Sequence, residues 1–160
     1  MTTWQDLSWH NAAGVHIPIN SIVSEISNHI GSGGRIFIGC DSNVVGTCCT
    51  YATAIVLYND VERRGGKYFF TRTRTQIALR SPLRVRLMAE ADMSILLGIE
   101  LQEAFPDARI EIHLDVSQRK ENLSNGVADQ VAGYAKAAGF ECKLKPESWA
   151  SSCVADEHTR

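Results

Sequence analysis

Four acidic residues stand where acids are out of place. Asp41 closes the run Arg35-Ile36-Phe37-Ile38-Gly39-Cys40-Asp41-Ser42, an apolar strand pattern launched by the turn Gly31-Ser32-Gly33-Gly34. Asp has low strand propensity and is rarely buried without a partner, so it calls for a capped turn or a cation held over the sheet. Glu90 falls on the stripe Leu83, Leu87, Glu90, Ser94, Leu97, Leu101, a narrow arc at about 100° per residue. An unpaired carboxylate in a packed stripe is costly, so Glu90 must meet a basic residue or a cation. Asp115 ends an alternating strand at 108–115, with Ile110, Ile112 and Leu114 on one side and Glu111, His113 and Asp115 on the other. Asp156 shares a helix side with Trp149, Ser152 and Cys153.

The elements that must position these acids follow from periodicity and punctuation. Pro18 opens a helix whose Ile19, Ile22, Val23, Ile26 and Ile30 make one apolar face. Glycines at 31–34 end it; the loop runs from helix to strand, the reverse of a phosphate cradle, and reads as a turn. After the strand at 35–42, the β-branched and aromatic runs 49–57 and 67–77, joined by short links, predict an antiparallel meander. Alternation in the last run sets Arg72 and Arg74 on one face. Ser81-Pro82 starts a helix that reaches about residue 104. The strand at 108–115 follows, then a helix at 122–138 with Val127, Val131, Tyr134 and Ala138 on one face and Gly139 as its stop. A short strand at 140–144 and a final helix at 148–158 complete the chain. Residues 1–17 carry Trp4 and Trp9 without a period and are expected to form an ordered arm against the body.

The expected fold is therefore α/β and a single domain over 1–160, with an arm and extra helix in 1–33 and a core in 34–160. Its mixed five-stranded sheet begins as a three-strand meander, continues as alternating helices and strands, and carries helices on both faces. A length of 160 residues, 44% hydrophobic and 21% charged, suits one globular domain with a sizeable core. No apolar run approaches the roughly 20 residues of a membrane helix. The first residues lack the basic and apolar parts of a signal peptide, so a cytoplasmic location is expected. The five cysteines are odd in number and include no Cys-x-x-Cys, so neither a disulfide framework nor a zinc knuckle is indicated and buried, reduced thiols are expected.

A net charge of −2 argues against a general nucleic-acid coat. The distribution is uneven, however. Every charged residue from Arg63 to Arg86 is basic: Arg63, Arg64, Lys67, Arg72, Arg74, Arg80, Arg84 and Arg86. Such a strip suits a polyanion met on one face, the bland alternative being a solvated hairpin face.

The element order from the meander onward resembles the ribonuclease H fold. That superfamily places an Asp on its first strand, a Glu on its first long helix, an Asp at the end of the fourth strand and often an acid on the last helix. Asp41, Glu90, Asp115 and Asp156 occupy those places. The chain more closely resembles a small bacterial branch, the YkuK-type proteins. The likeness rests on Gly39-Cys40-Asp41-Ser42, Glu90, His113-Leu114-Asp115, Asn122 and the tail Lys145-Pro146-Glu147-Ser148-Trp149-Ala150-Ser151-Ser152 with Ala155-Asp156. It covers about residues 34–160, with little match over 43–85.

The resemblance implies a metal-dependent nuclease that hydrolyses phosphodiester bonds of RNA or DNA with two Mg2+ or Mn2+ ions. Asp41 would bridge both ions, Glu90 and Asp115 would each hold one side, and Asp156 would complete the second site. A mobile basic residue near the last acid shuttles a proton in some members, and His158 is the candidate here. For His113 and His158 alike, a hydrogen-bonded structural role is the plainer expectation. Arg72, Arg74, Arg80, Arg84 and Arg86 are the candidate phosphate contacts of a nucleic-acid partner. Two other classes compete. One is a ribonuclease-H-like scaffold that binds nucleic acid or protein without cutting. The other is a cysteine enzyme using Cys40 beside Asp41 with His113, which needs a base within hydrogen-bond reach of the thiol. The isoleucine helix at 19–30 either covers the sheet or pairs with a copy of itself.

Overall fold

The computed structural model describes residues 2–59, 64–78, 82–118 and 125–160, with 64, 65 and 125 followed by backbone alone. In chain order the elements are β1 (Trp9–Asn11), β2 (His16–Ile17), α1 (Ile19–Gly31), β3 (Arg35–Val45), β4 (Cys48–Asn59), β5 (Arg64–Gln76), α2 (Leu83–Ala104), β6 (Ile110–Ser117), α3 (Asn125–Ala137) and β7 (Glu141–Lys145). A π-helical turn, Ala150–Ala155, then runs into a 3-10 turn, Asp156–His158.

One mixed sheet carries the order β2-β1-β5-β4-β3-β6-β7. The meander β3-β4-β5 is antiparallel, with Ile38 opposite Ile55 and Ile55 opposite Phe69. β6 joins β3 in parallel, pairing Ile36 with Ile110 and Gly39 with His113, and β7 joins β6 in parallel. The sheet has seven strands, not five. The expected arm contributes the two extra ones, since β1 pairs with β2 and His10 of β1 pairs with Phe70 of β5. Strands of three and two residues are too short to display a two-residue period, so they had no signature in the sequence.

Strand alternation sorts the sheet into two unequal faces. Ile36, Ile38, Ile55, Leu57, Phe69, Ile110 and Ile112 form one core with Trp9, Ile22 and Ile26 of the N-terminal third, Leu87, Ile95 and Leu101 of α2, and Val127 and Val131 of α3. All three long helices therefore cover a single face. The other face, with Phe37, Ala54, Val56 and Phe70, is covered by Ala150 and Ala155 of the C-terminal segment. The helix expected at 148–158 is thus a π turn followed by a 3-10 turn, and it is the sole helical cover of that face among the described residues. Pro82 holds the N-cap position of α2; the expected cap Ser81 and the residues 79–81, including Arg80, lie outside the described residues, as does Asn122. No described helix is long and apolar enough to cross a membrane.

Candidate functional site

β3 and β6 run side by side, and their last paired couple is Gly39 and His113. Two residues further along each strand stand Asp41 and Asp115, so parallel pairing brings both acids to the same end and face of the sheet. Asp115 is followed by Val116 and Ser117 within the strand rather than ending it. Gly39 makes room for the third acid. A Cβ on Gly39 would press into the Ser151 amide and lie 2.7 Å from the Ala150 carbonyl oxygen, so the absent side chain is what lets the C-terminal segment rest on β3. The segment then carries Asp156 toward Asp41, close enough for its carboxyl group to raise the Asp41 value. Glu90 arrives from α2 in the opposite layer. It is 5% exposed, and the Ser42 hydroxyl donates to its Oε1 at 2.6 Å.

These acids burden one another. Burial pushes the Asp41 carboxyl up to about 7, reinforced by the neighbouring Asp156 carboxyl and the charge of Asp115. Burial likewise pushes Glu90 up to about 8; the Ser42 bond opposes the rise, while the charges of Asp41 and Asp115 add to it. Glu90 thus responds to both Asp41 and Asp115, and Asp41 to both Asp115 and Asp156, so the four sequence-predicted acids form one electrostatic cluster.

Basic groups approach unevenly. Arg86 Nη1 donates to Ser42 Oγ at 3.3 Å, bracing the residue that holds Glu90. Arg160 lies 3.9 Å from Asp156 on an exposed side chain. Lys145 Nζ lies 2.9 Å from Asp115 Oδ1. That oxygen is sealed from solvent and has no aligned hydrogen-bond donor, so the ammonium sits close by but off the lone-pair direction.

An all-oxygen carboxylate set with only partly relieved repulsion and a poorly satisfied buried oxygen fits a hard divalent cation. Among the described residues, no three His, Cys, Asp or Glu side chains are grouped closely enough to hold one ion as they stand. Ligation by this set therefore requires movement of at least one side chain.

The two histidines are placed differently. His113 is fully buried. Its Nδ1 accepts the Ala150 N–H at 3.0 Å, so Nε2 carries the proton and donates to Glu111 Oε1 at 2.9 Å. Arg35 Nη2 completes the chain on Glu111 Oε2 at 2.6 Å. Burial holds His113 below the ordinary histidine range. Burial alone would raise Glu111, but the His113 bond and the Arg35 charge outweigh it and hold the carboxyl low. His113 is a structural histidine, as expected, anchoring the start of the segment that ends in Asp156. His158 stacks on Phe70 at 3.6 Å between ring centroids, and its Nε2 meets Tyr68 Oη at 3.0 Å. That packing engages Nε2 with the Tyr68 hydroxyl.

The arginines divide as well. Arg72 donates through Nε to the His158 carbonyl at 2.6 Å and lies over the Phe70 ring, so it fastens the chain end as well as facing solvent. Arg74 is exposed, and Arg84 donates to Gln130 at 2.9 Å. The cysteine-enzyme reading is corrected. Cys40 faces the α2 side, where Thr53 Oγ1 donates to its sulfur at 3.4 Å, and burial pushes its thiol far above the ordinary range. His113 faces the other side of the sheet, toward Phe37 and Trp149, so it cannot serve Cys40 as a base.

Sequence inspection left Ser42, Gly39, Lys145 and the Arg35–Glu111 pair without roles. Of these, only Glu111 had a visible signal, its place in the polar alternation Glu111-His113-Asp115; the burial of that polar side appears only in the fold. A cavity of about 820 Å3 lies further along the same face, lined by Arg35, Phe37, Tyr58, Tyr68 and Trp149 among others and by none of the four acids.

The ribonuclease H-like family model matches residues 18–160, and the chain belongs to that family. No curated protein and no solved structure matches it.

Proposed function

We propose that this protein is a Mg2+- or Mn2+-dependent nuclease that hydrolyses phosphodiester bonds of RNA or DNA by a two-ion mechanism, and that its nearest kin are the YkuK-type proteins. The observation that carries this reading is the convergence of Asp41, Glu90, Asp115 and Asp156, from four separate segments, into one mutually repelling cluster. Asp41, at the centre of the cluster, would hold the ions together with Glu90, Asp115 and Asp156. Bound divalent ions would activate a water and stabilise charge on the leaving oxygen. The chain's own residues do the rest. Ser42 fixes the rotamer of Glu90, Arg86 braces Ser42, and the Gly39–Ser151 contact holds Asp156 over Asp41. Arg72, Arg74, Arg84 and Arg86, with Arg80, are the proposed contacts to substrate phosphates. His158 takes no step in this scheme.

Labelled RNA, DNA and hybrid substrates, incubated with and without Mn2+, test the reading against the variant Asp41→Asn. Cleavage should need the metal and vanish in the variant; equal cleavage by both proteins would exclude the site. A non-cutting scaffold is the second reading, favoured by one observation, the Lys145 ammonium already beside Asp115. Millimolar Mn2+ separates them, since a bound ligand raises the melting temperature and a bare scaffold gains nothing.

A further inference from the structure

Lys145 ends β7 with its ammonium 2.9 Å from Asp115 Oδ1, the one ion pair shorter than 3 Å that any of the four acids makes among the described residues. Its side chain is 45% exposed, whereas that of Asp115 is 17% exposed. The ammonium is therefore tethered to a shielded carboxylate from the solvent side. The contact lacks hydrogen-bond alignment, because Asp115 Oδ1 has no aligned donor. Charge, not direction, holds the pair. A compact ammonium on a flexible four-carbon stem releases such a contact readily.

The geometry points to Lys145 as the exchangeable resident countercharge of the acid cluster. This inference rests on the metal-binding reading above and adds a competition to it. Lys145 partly neutralises Asp115 when no divalent ion is bound, and it must leave Asp115 when one binds. Two cations cannot occupy one shielded carboxylate oxygen without strong mutual repulsion. The same lysine thus supports the metal-free fold and weakens metal affinity. Cys142 and Leu144 on β7 pack toward the helical core, and Lys143 and Lys145 alternate with them, so the sheet register aims Lys145 at the acid-bearing face.

Isothermal titration of the full chain with Mn2+, read in parallel by the spin resonance of free Mn2+, tests this in wild type, Lys145→Met and Lys145→Gln. Two substitutions guard against one that misfolds. Removing the competing charge should tighten Mn2+ binding a few-fold, up to about tenfold, the range that a partly exposed ion pair commands. In chelator the variants should melt below wild type, and saturating Mn2+ should close the gap. Equal or weaker Mn2+ binding by both variants, beside measurable binding by wild type, overturns the exchange and leaves the metal site standing. No Mn2+ binding by any of the three proteins overturns the metal site and the exchange together.

Discussion

Asp41 on β3 and Asp156 on the last helical turn approach closely enough that the Asp156 carboxyl, after burial, is the largest influence raising the Asp41 value. Two neighbouring carboxyl groups can bond only through a proton held by one of them, so this neighbour favours the protonated form of Asp41, whose value is raised to about 7. An asparagine at 156 supplies an amide donor that needs no such proton. Asp156→Asn should therefore return Asp41 toward the ordinary carboxylate range. In chelator at pH 8 it should stabilise the protein by about 1 kcal/mol, the usual worth of a well-made hydrogen bond. Urea denaturation measures this, and lower stability than wild type would mean that the two groups do not face each other as described.

Glu90 makes a prediction across pH. Its folded-state value of about 8 stands above an unfolded value near 4.5, so the folded chain holds the extra proton between those limits. The sign follows directly. The contribution of Glu90 is most favourable below about pH 4.5, declines as pH rises, and is lost above about pH 8. Metal-free protein should lose stability over this window, by an upper limit on the order of a few kcal/mol from this residue. Glu90→Gln keeps an acceptor for Ser42 and removes the charge. The difference between variant and wild type should grow from pH 5 to pH 8, as followed by thermal denaturation in chelator. A pH-independent difference would place the carboxylate in a wetter setting.

The four acids were legible because each broke a local rule: Asp in an apolar strand, Glu90 on a core stripe, Asp156 among small and apolar neighbours. The meander and α2 were legible because they are long enough to show their periods. The two extra strands were not, since β1 and β2 owe their form to pairing with β5 and each other rather than to any run of their own. Partner-defined roles were equally hidden. Nothing near Lys145 in sequence announces Asp115, and nothing near Gly39 announces Ser151. Cys40 and Asp41 are consecutive in a strand, so their side chains point to opposite faces, which already parts the thiol from His113.

Gly39→Ala isolates the docking of the C-terminal segment from the chemistry of the acids. The added methyl would meet backbone atoms of Ala150 and Ser151, which cannot rotate away as a side-chain tip can. Overpacking of this kind costs about 1–3 kcal/mol, and here it should lift Asp156 off Asp41 as well. The variant should melt several degrees lower and lose any cleavage while keeping the helical far-ultraviolet signal of α1–α3. Unimpaired stability would show that the segment does not lie on β3.

His113→Phe probes the same segment from its other anchor. The ring volume and the packing against Phe37 and Trp149 are retained, but the acceptor for the Ala150 N–H and the donor to Glu111 are removed. Glu111 keeps Arg35, so its charge stays partnered, whereas the buried Ala150 amide is left unsatisfied at a cost of about 1–3 kcal/mol. The loss is local, at the point where the segment joins the sheet, so opening of residues after Trp149 should precede global unfolding. Trp4 and Trp9 are buried in the opposite core, and Trp149 is the half-buried tryptophan of the segment. A red shift of tryptophan emission in the folded variant, with faster amide exchange at Ala150 and Ser151, is the expected result. Unchanged exchange at Ala150 would mean that its amide is protected by something other than the imidazole.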